Sequence, residues 1–120
     1  MRFNLEISKK ELGNIGEALL IKIFKGDKKI TSIRNNIKNG SCELDILIET
    51  KKSLIIFEVK SGIDSYKHLR ARIDERKIKL LINCLRAPTR QKDVIFMGAF
   101  VMFNKNLTRA RILIMPLSVF

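Results

Sequence analysis

The sequence predicts a single α/β or α+β domain in which two helices flank one central mixed sheet. Segments with helical and strand-like patterns follow in the order helix, three strands, helix, two strands, which is typical of this class. The 120 residues suffice for one hydrophobic core, and no linker-like stretch divides them. A composition of 46% hydrophobic and 30% charged residues is ordinary for a globular protein. We therefore treat residues 1–120 as one domain.

Residues 8–24 form the first predicted helix. Ser8 and Glu11 have the spacing of a capping box, in which each side chain bonds a free backbone N–H of the first turn. Apolar residues recur at helical spacing as far as position 24, and Gly26 is suited to end the helix. Before this helix, residues 2–7 alternate between polar and apolar, which predicts a short edge strand or an ordered arm.

Two glycines and one acidic residue stand out inside this helix. Gly13 and Gly16 each cost about 1 kcal/mol relative to alanine in a helix interior, so we expect close packing on the sheet to explain them. Glu17 lies three residues before Leu20, on the edge of the apolar face rather than opposite it. The helix would therefore present this carboxylate near the sheet.

Three strands are predicted next, at residues 30–37, 42–49 and 53–60. The first has apolar residues interrupted by polar ones, and a turn signal separates it from the second. Only a short polar link joins the second strand to the third. Such a link favours an antiparallel hairpin between them.

A second helix and two further strands complete the predicted fold. The helix runs over residues 65–85 and stops before Pro88, because a proline biases the preceding residue away from helical conformation. Residues 93–103 are apolar on both faces, which indicates a buried central strand. Residues 109–115 form the last strand, and Pro116 predicts that it lies near a sheet edge.

The charge of the chain is its most unusual property. Lys and Arg number 24 against 12 Asp and Glu, which gives a net charge of +12. Such a charge favours polyanionic partners through phosphate neutralisation and counterion release, although a ribosome-associated or merely basic protein is the alternative. The two cysteines and one histidine make neither a disulfide framework nor a zinc pattern, and no stretch has the length of a membrane span. We expect a cytoplasmic protein that does not enter membranes.

Charged residues interrupt the two hairpin strands and make up the candidate site. An isolated buried carboxylate is costly, so acids within apolar strands indicate a function. Asp45 lies in the first of these strands, and Glu58 and Lys60 lie in the second. Because side chains alternate across a strand, Glu43 and Asp45 are expected on the face of Leu47. If the hairpin brings the charged faces together, the charges converge at one end of the sheet.

These residue types suit phosphodiester hydrolysis with a divalent cation. Carboxylates bind Mg²⁺ or Mn²⁺, which polarises a phosphoryl oxygen and lowers the pKa of a water, while a lysine orients that water or offsets developing charge. Lys60 is the predicted lysine, and Glu43 is a weaker candidate for the site. The alternative is a solvated strand end at which Glu58 and Lys60 merely pair. The predicted metal ligands are Asp45, Glu58, the main-chain carbonyl of Val59 and, directly or through water, Glu17.

The charged motifs resemble those of the PD-(D/E)XK nuclease superfamily. More narrowly, they resemble the YraN-type proteins, which are similar to archaeal Holliday junction resolvases. Cys42 stands where the family has glycine, and Leu44 stands where the superfamily has proline. The resemblance spans most of the chain and rests on Gly13-x-x-Gly16-Glu17, Arg34-Asn35, Cys42-Glu43-Leu44-Asp45-Ile46, Ile56-Phe57-Glu58-Val59-Lys60, Lys77 and Asp93-Val94.

This resemblance implies a restriction-endonuclease-like αβββαβ core and a DNA endonuclease that depends on Mg²⁺ or Mn²⁺. The catalytic set it implies is Glu17, Asp45, Glu58 and Lys60. Branched DNA in repair or recombination is part of the hypothesis, and so is a homodimer, in which two active sites would meet two strands. Two alternatives stay open: a non-catalytic nucleic-acid-binding module, and a subunit that needs a partner enzyme.

Basic residues outside the hairpin are candidates for phosphate contacts, with a solvated helix face as the alternative for each. Lys77 has two readings, since it either snorkels to solvent or reaches the scissile region or a flanking phosphate. The sequence has no ladder of aromatic residues of the kind that binds single strands, which favours duplex or branched DNA. The predicted nucleic-acid-binding residues are Arg34, Arg70, Arg72, Arg76 and Lys77.

Overall fold

The computed structural model describes residues 8–39, 42–63, 65–85 and 92–117, so the segment predicted at 2–7 lies outside the described residues. The class is α+β, with a five-stranded mixed sheet in the order β1-β2-β3-β4-β5. The described residues form three helices, where the sequence predicted two. In chain order the elements are α1 (Lys9–Phe24), β1 (Ile30–Asn39), β2 (Cys42–Thr50), β3 (Ser53–Gly62), α2 (Tyr66–Ala71), α3 (Glu75–Leu85), β4 (Asp93–Phe103) and β5 (Ala110–Pro116).

The sheet combines antiparallel and parallel pairing. The predicted hairpin is confirmed, because β2 and β3 pair antiparallel from Glu49 opposite Leu54 to Ile46 opposite Phe57. The strands β3 and β4 are parallel, so the chain between them must cross over one face of the sheet, and α2 and α3 make that crossover. As predicted, β4 is interior and β5 forms an edge.

The start and the packing of α1 follow from its sequence. The Glu11 N–H donates to the Ser8 hydroxyl at 3.1 Å, as expected for the N-cap. Beyond the helix, Gly26 has a φ of +112°, which glycine adopts without a steric penalty. A Cβ on Gly16 would overlap Ser61, so close packing explains this glycine. The same explanation is wrong for Gly13, because no atom of the described residues beyond the adjoining backbone of α1 lies within 4 Å of a built Cβ.

The predicted helix over residues 65–85 is broken into two. After α2 ends, the Asp74 side chain accepts the Arg76 N–H at 2.9 Å and so caps the first turn of α3. An aspartate that bonds the backbone in this way stabilises a helix start and competes with continuous helix. The local bond of Asp74 therefore explains the break that apolar periodicity did not predict.

The break changes which residues of the crossover face the sheet. In one continuous helix, the spacing from Leu69 and Ile73 would place Leu80 on the same buried face, but Leu80 is 62% exposed. Ile78 and Leu81 are buried instead, at 4% and 3% exposure. Since a new helix begins at Glu75, its apolar face need not continue the phase of α2.

The helices lie on opposite faces of the sheet. α1 packs on β3, while α2 lies over β3 and β4, and α3 lies over β2. None of the helices within the described ranges is long and apolar enough to cross a membrane. The core on the α1 face comprises Leu20, Ile46, Ile48, Phe57, Val59, Ala99 and Val101. Two clusters fill the other face, comprising Leu44, Leu47, Leu54, Ile56 and Leu81, and Leu69, Ile73, Ile78, Phe100 and Leu117.

Candidate functional site

The candidate site begins where β2 and β3 part. Their backbone pairing reaches Ile46 opposite Phe57. One residue further along β2, a carboxylate oxygen of Asp45 accepts the Val59 N–H at 2.8 Å. A side chain thus takes a backbone N–H of β3 that a strand carbonyl could otherwise accept, and this bond fixes the Asp45 carboxylate between the two strands.

The regular alternation predicted for β2 is wrong at Asp45. Leu44 and Leu47 are three residues apart, yet both pack in the cluster under α3. Ile46 packs in the core on the opposite face. On the neighbouring strand, Asn36 lies between the partners of Ile46 and Leu44 and has a φ of +50°. The backbone is therefore irregular on both strands at the position where the sheet presents Asp45.

Glu58 is the buried acid of the site, with 5% of its surface exposed. Its Oε1 accepts a hydrogen bond from the Lys77 ammonium at 3.1 Å and lies 3.3 Å from the Lys60 ammonium. Lys77 comes from α3, whereas Lys60 follows Glu58 on the same side of β3. Lys77 therefore contacts a carboxylate of the candidate site, and 38% of its side chain is also exposed.

Glu17 joins these residues from α1 and is half-buried. Burial, and then the charges of three other carboxylates, together raise its pKa to about 7. Those carboxylates are Asp45, Glu58 and Glu43, of which Glu43 is exposed on β2. The four predicted acids are thus close enough to repel one another.

The pKa values of Asp45, an acid, and Lys77, a base, also reflect the crowding of carboxylates. Burial, then the Glu58 charge, raises the pKa of Asp45, and the Val59 N–H and the two lysines offset only part of this. Burial alone would lower the pKa of Lys77, but the charge and hydrogen bond of Glu58 outweigh it, so the pKa is raised. Buried acids in excess of their cations are typical of functional sites, because folding alone does not favour them.

The donor set suits a hard divalent cation. Within residues 8–39, 42–63, 65–85 and 92–117, no three side chains of Asp, Glu, His or Cys are placed to hold a metal by themselves. Mg²⁺ commonly uses one or two carboxylates and keeps several waters, so it does not need a three-acid cage. Asp45 and Glu58 could hold such an ion, with the Val59 carbonyl as a neutral third ligand and Glu17 acting through water.

The predicted phosphate-binding residues are in different settings. Arg72 donates to the Ser61 carbonyl at 3.2 Å, so it has a role in holding the crossover on β3. Arg70 and Arg76 lie on the same crossover, the first half-buried and the second exposed. Arg34 is exposed on the edge strand β1, whereas Lys77 belongs to the carboxylate cluster.

Sequence reasoning missed the two residues that shape the surroundings of the site. Asp74 carried a usable signal, because Asp-Glu within a helical stretch is typical of a helix start. Ser61 carried none, since a serine after a charged strand end is ordinarily solvated. Its role depends on α1 lying on one side of it and Arg72 on the other.

Comparison with known proteins assigns no family to the chain. No protein-family model matches it, and neither does any curated protein sequence. Any likeness to PD-(D/E)XK nucleases therefore rests on the motif residues alone.

Proposed function

We propose that this protein is a DNA endonuclease that hydrolyses phosphodiester bonds with Mg²⁺ or Mn²⁺. One observation carries the proposal: buried Glu58 and strand-bound Asp45 repel each other beside two lysines, in a chain of net charge +12. A divalent cation would relieve this repulsion, and the lysines would attract a phosphate. A site with both properties suits phosphoryl chemistry better than it suits a structural ion pair.

The carboxylates would hold the cation from two strands. One oxygen of Asp45 is engaged by the Val59 N–H, which orients the carboxylate and leaves the other oxygen for the ion. Glu58 would supply the second carboxylate, the Val59 carbonyl a third ligand, and Glu17 a contact through water. When bound, the cation supplies positive charge at the phosphoryl oxygen and lowers the pKa of a nearby water.

The two lysines would act on the phosphate and on the attacking water. Lys60 and Lys77 lie 3.3 Å and 3.1 Å from the same oxygen of Glu58, so both ammonium groups stay beside the carboxylates. We assign Lys60 to orienting the water or offsetting the negative charge that develops on the oxygens bound to phosphorus. We assign Lys77 to the phosphate, which it would approach from α3.

DNA is the proposed substrate because the chain is strongly basic. The crossover that carries Lys77 also carries Arg70 and Arg76, which would contact backbone phosphates beside the site. Arg34 would contact them from β1. A restriction-endonuclease-like αβββαβ core is part of the proposal, as are branched DNA and a homodimer, and these three rest on the motif resemblance.

Cleavage of plasmid and four-way-junction DNA tests the proposal. Wild-type protein should cut with Mg²⁺ or Mn²⁺ and not with EDTA. Asp45→Asn and Glu58→Gln should lower the cleavage rate by more than about 100-fold, since loss of an outer-shell partner already costs up to that much and these residues are proposed as direct ligands. Glu49→Gln, in the same hairpin but at its turn end, is the matched control and should cut normally. Equal cutting by wild type and both site variants would refute the proposal.

A second candidate is a nucleic-acid-binding module without catalysis. The observation that favours it is that Oε1 of Glu58 already lies beside two ammonium groups, which compensate its negative charge. Such a module would bind DNA or RNA in a salt-sensitive way, unchanged by Asp45→Asn, and would show no affinity for Mn²⁺. A subunit that needs a partner enzyme would instead cut only in the reconstituted complex.

A further inference from the structure

Ser61 is a buried residue at the end of β3, directly after Lys60. Only 7% of its surface is exposed. Within the described part of the chain, its hydroxyl has no hydrogen-bond partner. A buried hydroxyl without a partner is unfavourable, so hydrogen bonding of the side chain does not explain a serine at this position.

The side chain of Ser61 supports the backbone of α1. A Cβ built on Gly16 would overlap the Ser61 hydroxyl and lie 3.1 Å from its Cβ. It would also lie 3.3 Å from a methyl group of Val101. The helix therefore rests on Ser61 at the residue immediately before Glu17, so this contact sets how closely Glu17 approaches the sheet.

The backbone of Ser61 is held from the opposite side. Its carbonyl accepts a hydrogen bond from the Arg72 guanidinium at 3.2 Å. Arg72 lies between α2 and the Asp74-capped start of α3, and α3 carries Lys77 to Glu58. One residue of β3 thus contacts both segments that bring charged groups to the site.

We propose that Ser61 is a positioning residue, which sets the distances of Glu17 and Lys77 from the carboxylate pair through its contacts with Gly16 and Arg72. It touches neither the proposed cation nor the substrate. The proposal rests on the proposed metal site only in one respect, which is that these distances are expected to control metal binding. Its geometric content is independent of metal, since it concerns where α1 and the α2–α3 crossover lie on β3.

Matched alanine substitutions in α1 test the contact. Gly16→Ala adds a methyl group against Ser61, whereas Gly13→Ala adds the same group where no described residue outside the adjoining turns of α1 lies within 4 Å. With full-length protein, we expect Gly16→Ala to weaken Mn²⁺ binding in calorimetry by about 10-fold or more, as for loss of an outer-shell partner. Gly13→Ala should bind Mn²⁺ like the wild type.

A second substitution separates positioning from general damage to the fold. Ser61→Ala removes the hydroxyl that the new methyl group would overlap, so Gly16→Ala/Ser61→Ala should regain most of the Mn²⁺ affinity. The double variant also keeps the test open if Gly16→Ala alone fails to fold. A folded Gly16→Ala variant with wild-type affinity would overturn the proposal, and so would a folded double variant without rescue.

Crystal structures of the same variants supply a readout that does not depend on metal. The separation between the Glu17 and Asp45 carboxylates should increase in Gly16→Ala and return in the double variant. An unchanged separation in Gly16→Ala would overturn the positioning role. If wild-type protein fails to bind Mn²⁺, the proposed metal site fails, while these separations still decide the role of Ser61.

Discussion

The β2–β3 hairpin has a charged cluster at each end, and the two clusters differ in kind. At the turn end, the Lys92 ammonium lies 2.7 Å from Glu49 and donates to the Thr50 carbonyl at 3.0 Å. Both charged side chains are 32% exposed. An ion pair in contact with water is screened and contributes little to stability. Its contacts are those expected of a pair that holds the start of β4 against the turn.

At the open end, the central carboxylate is withdrawn from water and the charges around it do not balance. The Glu58 side chain is 6% exposed, and its contacts with Lys60 and Lys77, at 3.3 Å and 3.1 Å, are longer than the contact at the turn end. Asp45 and Glu17 are further acids at this end. Burial raises the pKa of each, and the charges of the neighbouring carboxylates act in the same direction. The shortest of these ion pairs is therefore at the turn end, whereas the buried and unbalanced charge is at the open end.

The largest expected difference between the two ends is their response to a divalent cation. A cation that binds only the folded protein should stabilise it by about 2.7 kcal/mol at a concentration 100 times its Kd. Thermal unfolding with and without Mn²⁺ measures this, and Asp45→Asn should abolish most of the effect. Glu49→Gln should retain it. A stabilisation that survives Asp45→Asn would mean that the ion binds elsewhere.

Removing Lys77 at the open end should cause the next largest effect, which is a loss of folding stability. Lys77→Met leaves the buried Glu58 with less compensating charge, and we expect a loss of about 2 kcal/mol, the range for hydrogen bonds to charged groups. Urea unfolding at pH 7 measures the free energy. An unchanged free energy of unfolding would show that Lys60 and water compensate Glu58 fully.

The raised pKa of Glu17 predicts a pH dependence of stability. Its pKa is about 7 in the folded protein and has an ordinary value of 4.5, so the folded state holds a proton between these values that the unfolded state releases. The contribution of Glu17 to stability should therefore be highest below about pH 4.5 and should fall as the pH rises to 7. Glu17→Gln should remove that fall, which we expect to be about 1 kcal/mol because solvent screens a half-exposed carboxylate.

Urea unfolding of wild type and Glu17→Gln at pH 5 and pH 8 measures this dependence. The variant should gain more stability relative to wild type at pH 8 than at pH 5. Equal differences at the two pH values would show that neither burial nor the neighbouring carboxylates raise the pKa of Glu17 in the folded protein. Mn²⁺ should reduce the difference, since a bound cation favours the ionised acid.

The smallest effect is expected at the turn end. Lys92→Met removes an exposed pair and should cost less than about 1 kcal/mol, the usual range for such contacts. This variant is also the matched control for Lys77→Met, because both lysines donate to a glutamate of the same hairpin. A loss at Lys92 as large as that at Lys77 would remove the distinction between the two clusters.

Local signals predicted most of the fold. The N-cap residue Ser8 determined where α1 begins, and the short polar link determined that β2 and β3 form a hairpin. The apolar run of residues 93–103 predicted an interior strand, which β4 is. These features depend on neighbours within a few positions along the chain, so the sequence by itself determines them.

Contacts between distant positions were decided only by the tertiary structure. The sequence identified the acids, but not that Asp45 gives up strand alternation to bind the Val59 N–H. It suggested close packing for both Gly13 and Gly16, and only the placement of α1 on β3 separates them. A contact of this kind depends on where two elements lie relative to each other, and neither element encodes that position alone.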